Sequence, residues 1–239
     1  ILLISVVSIN LFAETTWEIG IIFLAKNEDS LFQKEIHEKI SELKSIGTNN
    51  FLNLNFLYET DKTTNEDFKN FFLRSFSILD SKKMLLIYSH GEGPEGLKDY
   101  SIPELKAQIL TYAPKLDLLW LDACFMANIE FLYETKDVAK YTIASEDAEF
   151  SSGLRFNFFE VLPTINDPKM AANFLAAHFL NSYSYTNLGT YRNQVESSSA
   201  TISVIDNSKI SNFTKELKNF RFIFNKLPLE IQNTILKKM

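Results

Sequence analysis

The stretch MLLIYSHGEGPEGLKDYSIPELKAQILTYAPKLDLLWLDACFMA, residues 84–127, holds two apolar runs of strand length, Met84 to Ser89 and Leu116 to Asp122. A helical-period segment, Ile102 to Tyr112, lies between them, so the order is strand, helix, strand. Each run ends in reactive side chains. The first stops at His90 and a loop that holds Gly91, Gly93 and Gly96, three of the seven glycines in the chain. The second stops at Asp122-Ala123-Cys124, and Cys124 is the one cysteine.

Outward from this unit the alternation continues. Strand candidates are Trp17 to Leu24, Phe51 to Tyr58 and Tyr141 to Ala144; helix candidates are Ser30 to Ile46, Asn65 to Leu79 and Ala127 to Val138. Such a βαβα order predicts an α/β fold with a mostly parallel sheet, covered on both faces by right-handed crossover helices. After Ser151 the strand signal weakens to one run, Ala200 to Ile205, with helices expected at Pro168 to Tyr185 and Ser208 to Asn225. No Pro/Gly/Ser linker interrupts the chain, so residues 14–239 read as one domain, ending in what looks like mid-helix.

Composition excludes several functions. The 239 residues carry 24 Lys+Arg against 30 Asp+Glu, a formal net charge of −6, with no basic stripe for a nucleic acid. One cysteine and three scattered histidines, at 37, 90 and 178, supply neither a disulfide framework nor a zinc cluster. No apolar run away from the N-terminus is long enough to span a membrane. Ile1 to Ala13 is apolar and uncharged, and reads as the remainder of a secretory signal with Ala13 before the cut. The bland alternative is a buried first strand or helix. On the signal reading the mature chain begins near Glu14 and is exported, to the periplasm or the extracellular space.

In a parallel sheet, ligands sit at the carboxyl ends of strands, and consecutive βα units often place their strands side by side. His90 and Cys124 are therefore expected to face each other across one crevice. That pairing permits nucleophilic catalysis by a thiolate, with His90 protonating the leaving amine. The start of the Ala127 to Val138 helix is expected to lower the thiol pKa. Backbone N–H groups of Gly91 and Cys124 are placed to receive the oxyanion. Asp122, two residues before the nucleophile, falls on the same side if the strand runs that far, and suggests a pocket for a cationic substrate side chain. Each residue also has a structural explanation: a small core cysteine, a hydrogen-bonded histidine, a capping aspartate, glycines that merely turn. His37 and His178 read as structural, and Met126 and the phenylalanine-rich stretches as core.

These residues resemble the clostripain family of cysteine peptidases, bacterial relatives of caspases, legumains and gingipains. The match rests on Ser89-His90-Gly91-Glu92-Gly93 after its strand, Leu121 to Ala127 with Glu130, and Ala144-Ser145-Glu146-Asp147 with Gly153. Looser similarity extends from Trp17 to Phe213. The resemblance implies a caspase-like three-layer α/β/α sandwich and a secreted endopeptidase with a His90/Cys124 dyad. It also implies cleavage after Arg or Lys directed by Asp122, and activation by self-cleavage at a basic residue, for which Lys98, Lys106 and Lys115 are candidates. Some members depend on calcium, but no Asp-x-Asp-x-Asp-Gly loop occurs here, and no cofactor is expected. The chain departs from the family at Lys26-Asn27, where an Asp-Asn pair is expected, at Pro94 and at Leu154-Arg155-Phe156. Those positions wall the substrate groove, which leaves a second reading: a catalytically silent caspase-like module for binding or scaffolding. Glu146, Asp147 and Glu149 are expected either to add to the pocket or to be solvated.

Overall fold

The computed structural model describes residues 14–26, 28–46, 50–149, 155–185 and 201–237, without the side chains of 182–185. Ile1 to Ala13, Asn27, Gly153, Leu154 and Ala200 lie outside the described residues. Six strands form one sheet in the order β2-β1-β3-β4-β5-β6. They are β1 (Trp17–Leu24), β2 (Leu52–Glu59), β3 (Lys82–Tyr88), β4 (Leu116–Asp122), β5 (Ala139–Ala144) and β6 (Ser203–Asp206). All pairs are parallel except β5 with β6. Every residue of β1 and β4 is buried, as strands covered on both faces must be.

One face is covered by α1 (Ser30–Ile46), α5 (Pro168–Tyr185) and a 3₁₀ run, Phe156–Thr164. Phe32, Ile36, Ile40 and Leu43 of α1 pack there with Trp17, Phe23, Tyr88 and Trp120. The other face is covered by α2 (Asn65–Ser75), α3 (Ile102–Tyr112), α4 (Ile129–Thr135) and the first residue of α6 (Ile210–Phe224). Phe71, Phe72, Leu105, Ile109 and Phe131 pack there against Ile87, Leu119 and Leu121. A further helix, α7, spans Leu229–Leu236. The result is the expected three-layer α/β/α sandwich. Among the described residues no helix is long and apolar enough to cross a membrane.

Three of the boundaries that differ from the sequence expectation have a visible cause. The helix expected to run to Leu79 stops at Ser75, because the N–H groups of Ser77 and Ile78 donate to the buried Glu18 carboxylate on β1, at 2.8 and 2.9 Å, and leave the helical path. The helix expected from Ser208 opens with a 3₁₀ turn, Asn207–Lys209, whose Ser208 N–H is capped by Asp206. The third lies beside Cys124. The helix expected from Ala127 starts at Ile129, where the Asn128 side chain accepts the Phe131 N–H, and has only seven residues. Cys124 sits in the turn before it, so the expected help from a helix N-terminus is withdrawn.

Candidate active site

Parallel pairing puts Tyr88 of β3 opposite Asp122 of β4. The Ser89 N–H donates to the Asp122 carbonyl, so the two chains leave the sheet together, one into His90-Gly91, the other into Ala123-Cys124. They stay in contact. A Cβ placed on Gly91 would lie 1.9 Å from the Cys124 carbonyl oxygen, so glycine is required there for close backbone approach. Gly96 serves the loop differently. Its φ of 114° lets the chain fold back so that the Glu92 N–H reaches the Gly96 carbonyl at 2.8 Å. The Lys98 N–H then returns to the His90 carbonyl at 3.1 Å.

The turn carrying Cys124 is clamped to the segment after β5. Phe125, with φ of 61°, donates its N–H to the Asp147 carbonyl, and Ala127 to the Ser145 carbonyl, at 3.1 and 2.7 Å. Fully buried Met126 anchors it from beneath. Among the described residues no protein acceptor takes the N–H of Gly91 or of Cys124. The Cys124 sulfur is half-buried and lies 3.2 Å from the Glu149 amide nitrogen, which donates to it.

The His90 side chain is 50% exposed and is held on two sides. The Phe32 ring of α1 stacks on it, with centroids 4.3 Å apart and planes 26° apart. Phe32 in turn stacks on Tyr88, at 5.3 Å and 12°. The Nε2 atom lies 3.6 Å from an Oε2 atom of Glu28, whose side chain is almost fully buried. The same oxygen accepts from Lys98 Nζ at 2.8 Å.

Asp122 reaches the site but not as an open acidic pocket; it is 3% exposed. The Glu149 carboxyl faces it, and burial, then the charge on Asp122, pushes the Glu149 pKa up to about 11. At neutral pH Glu149 is therefore protonated, which removes the repulsion of two facing carboxylates, while neither of its buried oxygens has a hydrogen-bond partner among the described residues. Lys39 of α1 is buried as well, its pKa held below the ordinary lysine range by burial while the charge of Asp122 works the other way. Its Nζ stands 5.8 Å over the Tyr88 ring and 5.1 Å over that of Phe156. Burial, then the charge of Asp122, also raises the Tyr88 phenol.

The acidic cluster expected from the sequence thus divides: Glu149 joins the site, Glu146 accepts from Ser203 Oγ at the surface, and Asp147 is exposed. His37 is exposed on α1, bonded to the Gln33 carbonyl, and His178 packs between Phe158 and Phe174, neither at the crevice. Lys106 pairs with Glu134, and Lys115 lies at the start of β4, away from the strand ends that carry the site. Glu28, Phe32, Lys39 and Tyr88 were not singled out in the sequence. Only Lys39 leaves a trace there, as a lysine within the apolar stripe Phe32, Ile36, Ile40 and Leu43.

The sequence profile of the clostripain family matches residues 27–226. A secreted C11 cysteine protease from Bacteroides thetaiotaomicron, solved with an irreversible peptide inhibitor, superposes with a TM-score of 0.64 at 20% identity, over 82% of this chain and 67% of that one. A structure of iotapain, a secreted C11 cysteine protease of the same organism, gives 0.64 at 17%, over 88% and 71%. An inactive zymogen C11 protease from Parabacteroides distasonis gives 0.60 at 16%, over 84% and 64%. No curated protein sequence matches. At these identities the superpositions speak for the fold, and it is the profile, matched across most of the length, that makes this chain a member of the clostripain family of cysteine peptidases.

Proposed function

We propose that this chain is an exported cysteine endopeptidase that cleaves after Arg or Lys through His90 and Cys124. The carrying observation is the close backbone contact between Gly91 and the Cys124 peptide, which supports a dyad of the histidine and the thiol beside it. In the proposed reaction the Cys124 thiolate adds to the scissile carbonyl carbon, and the N–H groups of Gly91 and Cys124 receive the oxyanion. The C–N bond then breaks as His90 gives its proton to the departing amine, leaving a thioester. Water, losing a proton to His90, adds to that thioester and restores the thiol. Asp122, enclosed and 3% exposed here, supplies the negative charge for a basic P1 side chain once the segment carrying Glu149 moves off it.

Self-activation finds support in the Glu149 N–H that rests on the Cys124 sulfur: the chain's own backbone occupies the approach to the nucleophile. Two of the structural relatives are described as secreted, and a third as an inactive zymogen. Residues 14–239 form the peptidase domain on this reading, behind a signal segment. The same covered thiol, with Asp122 enclosed, favours the second reading, a silent binding or scaffold module.

Hydrolysis of fluorogenic peptides with Arg, Lys or Asp at P1, by the chain from Glu14 before and after limited trypsin treatment, separates the two. The peptidase cleaves after Arg and Lys only, and Cys124→Ala lowers the rate by about 10³-fold or more. Turnover that survives Cys124→Ala contradicts the dyad. Silence in both states of the parent leaves the scaffold.

A further inference from the structure

We propose that Glu28 is a positioning residue for His90, a third member behind the dyad; this rests on the peptidase reading above. The carboxylate lies in the connection between β1 and α1, with its side chain 3% exposed and its Oε2 atom 3.6 Å from His90 Nε2. Its backbone is fixed: the Glu28 N–H donates to the Ala25 carbonyl, and the Glu28 carbonyl accepts from Gln33 Nε2 at 2.9 Å. Asp29, the next residue, accepts the N–H groups of Leu31 and Phe32 at 2.9 Å each, which starts α1 and sets the Phe32 ring against the imidazole. Position, plane and one edge of the His90 ring are therefore all specified by the segment Glu28 to Phe32.

An imidazole has two nitrogens, and a base in a thiol dyad uses one for the proton it moves. With Nε2 turned to Glu28, Nδ1 is the nitrogen left for exchange with the Cys124 thiol and the leaving amine. The fixed carboxylate 3.6 Å from Nε2 is at ion-pair distance, where it favours a proton on that nitrogen and stabilises the imidazolium formed when the thiol loses its proton. Lys98 makes the shorter contact with Glu28, 2.8 Å, and closes the glycine loop over it. The carboxylate thus has two duties that can be told apart: orienting His90 and anchoring Lys98.

Glu28→Gln, Glu28→Asp, Lys98→Met and His90→Ala, measured with the Lys-P1 peptide after trypsin treatment, distinguish them. If Glu28 orients the base, Glu28→Gln lowers kcat roughly 10- to 100-fold with KM within about twofold. Glu28→Asp, which restores the charge, recovers most of that loss. Lys98→Met, which removes a candidate cleavage site as well as the anchor, is compared with the parent at matched extent of cleavage and loses less than Glu28→Gln. Equal losses in Glu28→Gln and Lys98→Met at matched cleavage would show that the carboxylate only anchors the loop, and overturn the proposal. So would a Glu28→Gln enzyme with parental kcat while His90→Ala is inactive. Full activity in His90→Ala, or a parent without turnover, instead removes the peptidase reading and this proposal with it.

Discussion

Glu149 behaves unlike an ordinary carboxyl, because burial and the facing Asp122 raise its pKa. Its pKa of about 11 against an ordinary 4.5 means that the folded chain keeps a proton which the unfolded chain releases above pH 4.5. Stability through this group is therefore highest below pH 4.5 and falls as pH rises toward 11. Glu149→Gln, which carries a permanent donor toward Asp122, escapes that fall. The variant's Tm should match the parent's near pH 4 and exceed it by about 5 °C or more at pH 8. A Tm difference that does not change with pH would show that Glu149 is ionised in the folded chain. At this scale the sequence was partly legible. His90 and Cys124 stood out because a histidine and the lone cysteine end adjacent strands. Asp122 was legible as the end of β4 but its enclosure was not, since nothing in a one-dimensional pattern brings Lys39 of α1 and Glu149 of a distant loop beside it.

Among the elements, β1 and β4 matched the expected bounds residue for residue, because strands buried on both faces read as unbroken apolar runs. Helix ends were less legible where a buried group from another element intervenes. Glu18, fully buried in β1, takes Ser77 and Ile78 N–H and Asn53 Nδ2 on one oxygen, and Ser81 Oγ and Lys83 Nζ on the other. It thereby ends α2 and fixes the turn into β3. Donors face both of its oxygens, so the amide of Glu18→Gln meets a donor whichever way it turns. That substitution should cost about 1–3 kcal/mol, seen as a lower Tm in thermal unfolding. The kcat/KM of the folded enzyme should stay within about twofold, because Glu18 lies near the opposite end of the sheet from His90. A large loss of activity at unchanged Tm would mean that the turn into β3 is coupled to the site.

In the whole molecule, the strand order explains why the site draws on the connections after β1, β3 and β4, with the segment after β5 closing on it. The chain steps from β1 outward to β2, then returns to the other side of β1 for β3, and this reversal opens a crevice at the carboxyl ends of β1 and β3. The β1 to α1 connection brings Glu28 and Phe32 to that crevice, β3 brings His90, and neighbouring β4 brings Cys124. The alternation of strands and helices was enough to expect a parallel sheet with β3 beside β4. It carried no information on which side of β1 the third strand would pair, and so Glu28 stayed invisible until the sheet was assembled. The run Ala200 to Ile205 was readable as a strand, β6, but not as an antiparallel one; its register is held by Asn207, which bonds the Ala139 carbonyl and Thr142 across β5.

If Cys124 is a nucleophile served by His90 and addressed by a basic side chain, peptide chloromethyl ketones will show it. The trypsin-treated chain, freed of trypsin, is incubated with reagents bearing Lys or Asp at P1, and the adduct is located by peptide mass mapping. One adduct is expected, on Cys124, from the Lys reagent only, formed at least about tenfold more slowly in His90→Ala. Equal labelling by both reagents, or labelling indifferent to His90, would rule that chemistry out.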